Sequence, residues 1–351
     1  MVASIGDVAV RAGVSVATVS RALRGLPNVA PSTRERVLKA ADELHYVADP
    51  HASRLATGVS HTVGMVAPLF TQWFFTQVVA GAEAVLSAAG LDLLLYNAGG
   101  VEERARFLRT MPHRKRVDGL IVIGVWLSDE EQDRLVGSVG ATVGVGLRSS
   151  CMPTVGIDNA GAASTATRHL VNLGHERIGL ISGLSDDPLH FSAPLERRRG
   201  YQHALREAGL AYRADLDVPG NFSMKGGAEA MAQLLAADRP PTGVFAESDE
   251  MAVGALKTLR DSGLRVPGDV ALVGFDDQEI AEYVGLTTIA QPALAMGEVA
   301  ATMLLERIRG ADRQQLPVVE LPTKLVVRAT TGPRRGPAAV EPPGPAVAEP
   351  A

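Results

Sequence analysis

Few residues in this sequence have the types and spacing of an enzyme site. A phosphate-binding loop needs several glycines before a helix, and the chain offers only Gly144 and Gly146 in a G-V-G stretch. His169 and His175 have no adjacent nucleophile, and the eight histidines show no metal-site spacing. We therefore expect no catalytic residue, no cofactor and no metal, and an enzyme on an α/β scaffold is the least favoured interpretation.

Another group of residues has the chemistry to contact nucleic acid. Small and polar side chains share one face near the start of a short predicted helix: Val16, Ala17, Thr18, Ser20 and Arg21. Arginine can hydrogen-bond guanine, and small apolar side chains can contact thymine methyls. Hydroxyl groups more often bind phosphates, which fix register without reading sequence. The alternative is an ordinary helical hairpin in which Val16 packs into the core.

Two short helices and a tight turn must position this face. Ser4 and Asp7 have the spacing of a capping box, Gly13 suits the turn, and Ser15 can cap the second helix. Each helix has apolar residues on one side: Ile5, Val8, Ala9 and Ala12 in the first, and Val19, Ala22 and Leu23 in the second. This layout predicts a helix-turn-helix, whose second helix enters the DNA major groove.

A third helix completes the predicted head, residues 1–47. Ser32 and Glu35 have capping-box spacing, and an apolar stripe runs through Val37, Ala41 and Leu44. A unit of about 45 residues is marginally stable alone, so we expect it to be tethered to a larger domain.

Residues 48–60 are predicted to form a hinge helix and linker. Asp49 is a good N-cap, Pro50 suits the first helical position, and Gly58 suits the exit. Because isolated helices shorter than ~12 residues are unstable in water, this helix should form only when docked. A frayed linker is the alternative for the unbound state.

Composition and charge limit the classes of protein. The single cysteine, Cys151, excludes an internal disulfide and a cysteine zinc cluster. Residues 1–60 hold seven basic and five acidic residues, giving +2, whereas the remaining 27 basic and 34 acidic residues give −7. A mildly basic head on an acidic body fits local DNA contact. No apolar run reaches membrane-spanning length and the N-terminus lacks an apolar signal region, so we expect a cytoplasmic protein without a membrane partner.

From residue 61 onward, apolar strand patterns alternate with amphipathic helix patterns in two series. Continuous apolar strands between helices predict parallel sheets covered on both faces, and therefore two doubly wound lobes. The expected effector and dimerisation domain is 61–332, with an N-lobe of about 61–158 plus 289–318 and a C-lobe of about 159–288 plus 319–330. The Pro- and Ala-rich tail, 333–351, should be disordered.

The order of several motifs resembles bacterial transcription regulators of the lactose/galactose repressor (LacI/GalR) family, over about residues 4–330. The motifs are D-V-A-V-R-A-G-V-S-V-A-T-V-S-R-A-L (7–23), T-R-E-R-V-L (33–38), H-Y (45–46), V-D-G-L-I-V (117–122), V-G-I-D-N (155–159), H-L-V-N-L-G-H-E-R-I (169–178), V-G-F-D-D (273–277) and L-T-T-I-A-Q-P (286–292). The resemblance implies a helix-turn-helix head joined by a hinge helix to a two-lobe, periplasmic-binding-protein-like α/β effector domain.

The resemblance also implies how the head binds DNA. Val16, Ala17 and Arg21 match base-reaching positions, Leu55 matches a leucine that wedges into the minor groove, and Ala52 matches the residue where two hinge helices meet. A wedge of this kind implies a homodimer on a pseudo-palindromic operator with a flexible central step. The chain departs from the family pattern at Val47, Ala48 and His51, which weakens the expected phosphate contacts of the hinge.

For the effector cleft, the resemblance implies one set of ligand residues: Phe74, Arg197, Phe222, Ser248, Asp276 and Gln291. The alternatives are a solvated Arg197, a core Phe222 and a loop acid at Asp276, whereas Asp249 is expected to cap a helix. Gly146, Phe191 and Ala193 replace polar residues of many sugar-responsive members, so the pocket should be more apolar. A sugar or sugar-like effector is expected, and a nucleobase or aromatic metabolite is the alternative.

Together these features predict a dimeric DNA-binding regulator, a repressor, controlled allosterically by a small metabolite. A periplasmic-type sugar-binding or sensing protein without a DNA role is the alternative function, which the DNA-reading pattern of the head disfavours.

Overall fold

The computed structural model describes residues 3–46, 59–111, 116–183, 191–310 and 315–334. The chain divides into two compact units, residues 1–60 and 61–351. The predicted hinge helix, with Ala52 and Leu55, lies outside the described residues, as does the predicted tail beyond Arg334. Within the described residues, no helix has both the length and the apolar character needed to cross a membrane.

The first unit is a three-helix head. Its helices are α1 Ile5–Ala12, α2 Val16–Leu23 and α3 Pro31–Glu43. Ser4 and Asp7 form the predicted capping box, and Gly13 adopts a φ of 66° at the turn. The Ser15 side chain accepts a hydrogen bond from the Thr18 N–H and so caps α2. The core of the head consists of Val8, Ala9, Ala12, Val19, Ala22, Val37, Ala40 and Ala41.

The start of α3 differs from the predicted capping box. Ala30 occupies the N-cap position without a side-chain hydrogen bond, and Pro31 begins the helix. Because proline has no N–H to satisfy and its φ already suits a helix, it specifies the first helical position at least as well as a serine cap. Ser32 therefore lies inside the helix, and the prediction for Ser32 and Glu35 was wrong.

The second unit contains two lobes, each with one sheet. The N-lobe sheet comprises β1 Thr62–Ala67, β2 Asp92–Asn97, β3 Gly119–Ile123, β4 Ala141–Val145, β5 Thr154–Gly156 and β11 Val318–Glu320. Its order is β11-β5-β4-β3-β1-β2, and all of its pairs are parallel. The helices of this lobe are α4 Trp73–Ala88, α5 Val101–Thr110, α6 Asp129–Val139 and α12 Ala293–Ile308. Separate apolar clusters cover the two faces of the sheet, as expected for continuous apolar strands.

The C-lobe repeats this architecture with one change. Its strands are β6 Ile178–Ser182, β7 Asp217–Pro219, β8 Gly243–Ala246, β9 Ala271–Asp276, β10 Thr287–Ala290 and β12 Lys324–Val326. The order is β12-β10-β9-β8-β6-β7, and the edge strand β12 runs antiparallel to β10. The helices are α7 Asn159–Asn172, α8 Ser192–Glu207, α9 Met224–Leu235, α10 Asp249–Asp261 and α11 Glu279–Val284, together with a 3-10 turn at Ala214–Leu216.

The chain passes between the lobes at positions slightly different from those predicted. β10 continues to Ala290 in the C-lobe sheet, and β11 continues to Glu320 in the N-lobe sheet. The late crossovers therefore follow residues 290 and 320, rather than lying at 289 and 318. Strand pairing sets these boundaries, and pairing partners far apart in sequence leave little local signal.

The end of the described chain is fastened to the C-lobe. The His169 Nε2 lies 2.9 Å from the Thr331 Oγ1, and the His175 Nε2 lies 3.2 Å from the Gly332 carbonyl oxygen. The Arg334 N–H donates to the Leu173 carbonyl at 2.9 Å. Ordered contacts therefore extend beyond residue 333, the predicted start of the tail. Burial lowers the pKa of both histidines, which favours their neutral forms.

Candidate DNA-binding face and ligand cleft

The outward face of α2 carries the predicted DNA-reading residues. Val16 is 48% exposed, whereas Val19, one turn further along, is fully buried. Ala17 and Arg21 are exposed, and Thr18 and Ser20 are partly exposed. Val19 fills the inward position, so Val16 is not a core residue and the hairpin-core alternative fails at this position.

Hydrogen bonding distinguishes Arg21 from other arginines of the head. The Arg11 side chain pairs with Glu43, and the Arg34 and Arg36 side chains donate to the carbonyls of Leu26 and Ala12. Within the described part of the head, the Arg21 side chain makes no hydrogen bond or ion pair, whereas its backbone carbonyl accepts from the Leu26 N–H. Its donors are therefore available for a base or a phosphate.

A cavity in the second unit has a volume of about 520 Å³. It lies between the lobes, at the carboxyl ends of parallel strands from both sheets, where open α/β sheets bind ligands. All six predicted effector residues line it: Phe74, Arg197, Phe222, Ser248, Asp276 and Gln291. The structure thus brings the set together, and the role of each residue in binding stays a prediction.

Arg197 is held rigidly beneath the cavity by α8. Its Nε donates to Asn159 Oδ1 at 3.0 Å, and its Nη1 donates to the Glu247 carbonyl at 2.6 Å. The guanidinium carbon lies 3.6 Å from the centre of the Phe275 ring, in a cation–π arrangement. Burial lowers the pKa of Arg197, while Asp276 and Glu247 oppose this effect. Arg197 is therefore a buried, oriented cation, and the solvated alternative is excluded.

Asp276 ends β9 with an unusual backbone. Its φ is 123°, and that of Asp277 is 59°, both in the left-handed region that non-glycine residues rarely adopt. Its carboxylate accepts hydrogen bonds from the side-chain amides of Gln278 and Gln291. Burial raises the pKa of Asp276 to about 6, although Arg197 and both amides lower it. Strain at a buried carboxylate that lines the cavity is consistent with a functional position rather than a free loop acid.

Two further buried acids lie beside the cleft, and sequence reasoning did not find their roles. Glu247 accepts a hydrogen bond from the Gly183 N–H, and burial raises the pKa of Glu247 to about 8. Burial and Asp276 raise the pKa of Asp249 well above its ordinary value. Asp249 binds the Gln278 N–H and the Thr288 hydroxyl, so it links two segments instead of capping α10. Ser248 provides that cap.

Aromatic side chains form much of the cavity wall. Phe74 and Phe75 contact edge-to-face with ring centres 5.3 Å apart, and the Phe191 ring centre lies 6.3 Å from that of Phe75. Phe222 lies across the cavity on a backbone with a φ of 48°, and it also packs against the C-lobe core. The core alternative for Phe222 is therefore partly right. As expected from Gly146 and Phe191, one wall is apolar.

Several cavity residues escaped the sequence prediction: Trp73, Arg148, Asn159, Glu196, Glu250 and Gln278. Gln278 could have been found, because it follows Asp276 by two residues in the same loop. The others lie on helices or loops whose approach to the cleft depends on lobe packing. Within the described residues, no group of three or more His, Cys, Asp or Glu side chains could hold a metal ion.

Comparison with known proteins agrees with this architecture. Residues 4–49 match the family of bacterial regulatory proteins, LacI family, and residues 167–331 match a periplasmic binding protein-like domain. The HTH-type transcriptional repressor PurR of Vibrio campbellii is 37% identical over 93% of this chain and 98% of its own. The repressor CytR of Escherichia coli K12 is 36% identical over 88% of this chain and 90% of its own.

A solved structure extends the similarity to three dimensions. The lac repressor dimer bound to operator and the anti-inducer ONPF has a TM-score of 0.83 and 28% identity, covering 95% of this chain and 100% of that chain. The relatives of the present chain are transcription regulators, and residues 4–49 of its head match the family's DNA-binding module. The chain therefore belongs to the LacI family of bacterial regulatory proteins and is a DNA-binding transcriptional regulator of the repressor type.

Proposed function

We propose that this regulator binds a pseudo-palindromic operator as a homodimer, with α2 in the major groove. Val16 and Ala17 then contact base edges or thymine methyls, Arg21 binds a guanine or a phosphate, and Thr18 and Ser20 bind phosphates. The exposed face of α2 above a buried Val19 is the observation that carries this proposal. Because a single small head contacts few bases, two copies are needed for a specific site.

The hinge completes the proposed DNA contact. Leu55 inserts between base pairs in the minor groove, and Ala52 lies where the hinge helices of the two protomers meet. Unstacking costs a few kcal/mol, which a flexible pyrimidine–purine step at the operator centre would reduce.

A small metabolite in the inter-lobe cleft controls operator binding. Arg197, Asp276, Gln291 and Ser248 offer hydrogen bonds at one end of the cavity, and Phe74 and Phe222 offer ring faces. Such a pocket suits a sugar or a related ring compound with hydroxyl groups. Solved relatives include a CelR–cellobiose complex, 34% identical with a TM-score of 0.69, and a LacI family regulator with bound ribose.

The chain acts on cytoplasmic DNA and has no enzymatic role. A sugar-sensing protein without DNA binding is disfavoured, because residues 4–49 match the DNA-binding module of the family. The rigid buried Arg197 and the strained Asp276 serve ligand recognition and need no chemical step.

A gel shift with DNA from around the protein's own gene tests the DNA proposal. We expect Arg21→Ala to weaken operator binding by roughly tenfold or more, since a good base contact is worth about 1–3 kcal/mol. The matched variant Arg21→Lys keeps the charge but loses the planar fork, so it should restore non-specific binding and only part of the specific binding. Equal operator affinity of wild type and Arg21→Ala would refute the assigned role.

The same assay tests control by an effector. Sugars and nucleosides are added to the operator complex, and at least one should change the operator affinity. If no compound in the panel alters the complex, the proposed effector class is wrong even where the DNA result stands.

A further inference from the structure

A second cavity adjoins the ligand cleft on the N-lobe side. Its volume is about 470 Å³, and it shares five lining residues with the main cavity: Gly124, Gly146, Leu147, Arg148 and Ser192. Its remaining lining comes from the loop after β3 and the start of α6: Val125, Trp126, Leu127, Ser128, Asp129 and Gln132. Together the two cavities approach the upper end of the usual range for small-molecule sites, about 300–1,000 Å³.

Two glycines form the boundary between the cavities. Gly124 follows β3 with a φ of 58°, and Gly146 follows β4 with a φ of 63°. A side chain would be strained at either backbone, and a Cβ on Gly124 would lie 3.2 Å from the Phe75 ring. At these two positions only backbone lies between the cavities, whereas Leu147, Arg148 and Ser192 line both. The two glycines therefore leave room at the boundary for a ligand that extends beyond one ring.

The second cavity has the lining of a ring-binding subsite. Trp126 is 47% exposed. The Arg104 guanidinium lies 5.6 Å from the centre of its indole ring, donates to its carbonyl oxygen and pairs with Glu131. These contacts hold the loop that carries the indole. Ser128 and Asp129 place polar groups nearby, so an aromatic surface lies next to hydrogen-bonding groups, as stacking of a sugar or base requires.

We propose that the second cavity is a subsite and that the effector is a two-ring glycoside. One ring is a sugar held by Arg197 and Asp276 in the main cavity, and the second ring passes the two glycines to lie against Trp126. A disaccharide and a nucleoside share this chemistry. The inference rests on the proposed effector role of the cleft and adds the size and the second contact surface of the ligand.

The two tryptophans of the chain provide separate reporters, because Trp73 lines only the main cavity and Trp126 only the second. Trp73→Phe leaves Trp126 as the single reporter, and Trp126→Phe leaves Trp73. The probes are glucose with cellobiose, and ribose with uridine. We expect at least one two-ring probe to change the fluorescence of both reporters, whereas its one-ring partner changes only that of Trp73. The pair that responds identifies the second ring as a sugar or a base.

Affinity measurements on the full chain supply the second test. Trp126→Ala should weaken binding of the two-ring probe by about tenfold and leave the one-ring probe unchanged, since the loss is confined to the stacking surface. Trp126→Phe keeps an aromatic ring and should retain most of the affinity. A folding defect would instead lower the affinity for both probes, so the one-ring probe serves as the internal control.

The outcomes separate the two proposals. If two-ring and one-ring probes bind equally, or if Trp126→Ala does not change two-ring binding, the subsite is refuted and the cleft keeps its proposed effector role. If no probe binds or alters operator affinity, both the two-ring glycoside and the proposed effector class are refuted.

Discussion

Glu247 shows how the cleft places ionisable groups in an unfavourable environment. The residue is fully buried, and its Oε1 has no hydrogen-bond partner within the described structure. Burial raises its pKa to about 8 from an ordinary 4.5, so the folded protein holds a proton that the unfolded chain has already lost. Between these two pKa values, the free energy of unfolding should fall as pH rises.

Glu247→Gln should remove this contribution, because glutamine is neutral and its amide oxygen can still accept from the Gly183 N–H. As pH rises from ~5 to ~8, the free energy of unfolding of the variant minus that of wild type should increase, by up to about 1.4 kcal/mol per pH unit. Urea unfolding across that range measures the difference. Asp215→Asn is the control: its exposed carboxylate has a lowered pKa, so its effect should not vary over this range. A parallel pH dependence for Glu247→Gln and wild type would contradict the prediction.

Individual cleft residues could be predicted from the sequence where they lie in a recognisable motif. Arg197 and Asp276 were implied as ligand residues by the resemblance of their surrounding motifs to the LacI/GalR family, and both line the cleft. Glu247 was missed and Asp249 was assigned to a cap. Two neighbouring candidates, Ser248 and Asp249, fit the same helix start, and only the distant partners Gln278 and Thr288 show that Asp249 has another function.

Among the elements, glycines allow helices to pack with their backbones in contact. A Cβ on Gly81 of α4 would lie 2.0 Å from the Leu294 carbonyl oxygen of α12, and a Cβ on Gly297 would lie 2.1 Å from the Val78 carbonyl oxygen of α4. Gly200 of α8 meets Ala160 of α7 in the same way. Any side chain at these crossings forces the helices apart.

Gly81→Ala should therefore destabilise the N-lobe by about 1–3 kcal/mol or more, despite the higher helix propensity of alanine. Gly137→Ala in α6 is a matched control, because a Cβ there meets no atom within 4 Å. That variant should stabilise the protein by roughly 0.5–1 kcal/mol. Urea unfolding of both variants measures their free energies of unfolding. If Gly81→Ala is as stable as wild type or more stable, the helices can move apart without losing stability, and the prediction is wrong.

Long periodic elements followed from local pattern, and so did the short strands β7, β11 and β12, but three other short elements did not. The four-residue strand β10, the three-residue strand β5 and the six-residue helix α11 were absent from the prediction. Strands this short contain too few residues to show an alternation, and pairing with neighbouring strands determines them. The glycine crossings were equally inaccessible, since a glycine inside a helix does not reveal which backbone lies against it.

At the scale of the whole effector domain, polar contacts between described residues join the lobes across the cleft, in addition to the Phe75–Phe191 ring contact. Arg148, after β4 of the N-lobe, pairs with Glu196 on α8 of the C-lobe at 3.1 Å. The Glu250 carboxylate of α10 accepts a hydrogen bond from the Trp73 backbone N–H of α4, while burial raises the pKa of Glu250. Both contacts favour lobes held together around a ligand, so their loss should shift the equilibrium towards separated lobes.

Arg148→Ala should therefore weaken effector binding by at most about fivefold, because its side chain is 87% exposed and exposed ion pairs contribute only ~0.2–1 kcal/mol. Salt screens such a pair, so raising the ionic strength should reduce the wild-type affinity towards that of the variant and affect the variant less. Arg265→Ala removes an exposed ion pair with Asp269 within the C-lobe and should leave effector affinity unchanged. Titration calorimetry at low and high salt compares the three proteins. A loss of hundredfold or more in Arg148→Ala, independent of salt, would contradict lobe closure and assign Arg148 to direct ligand contact.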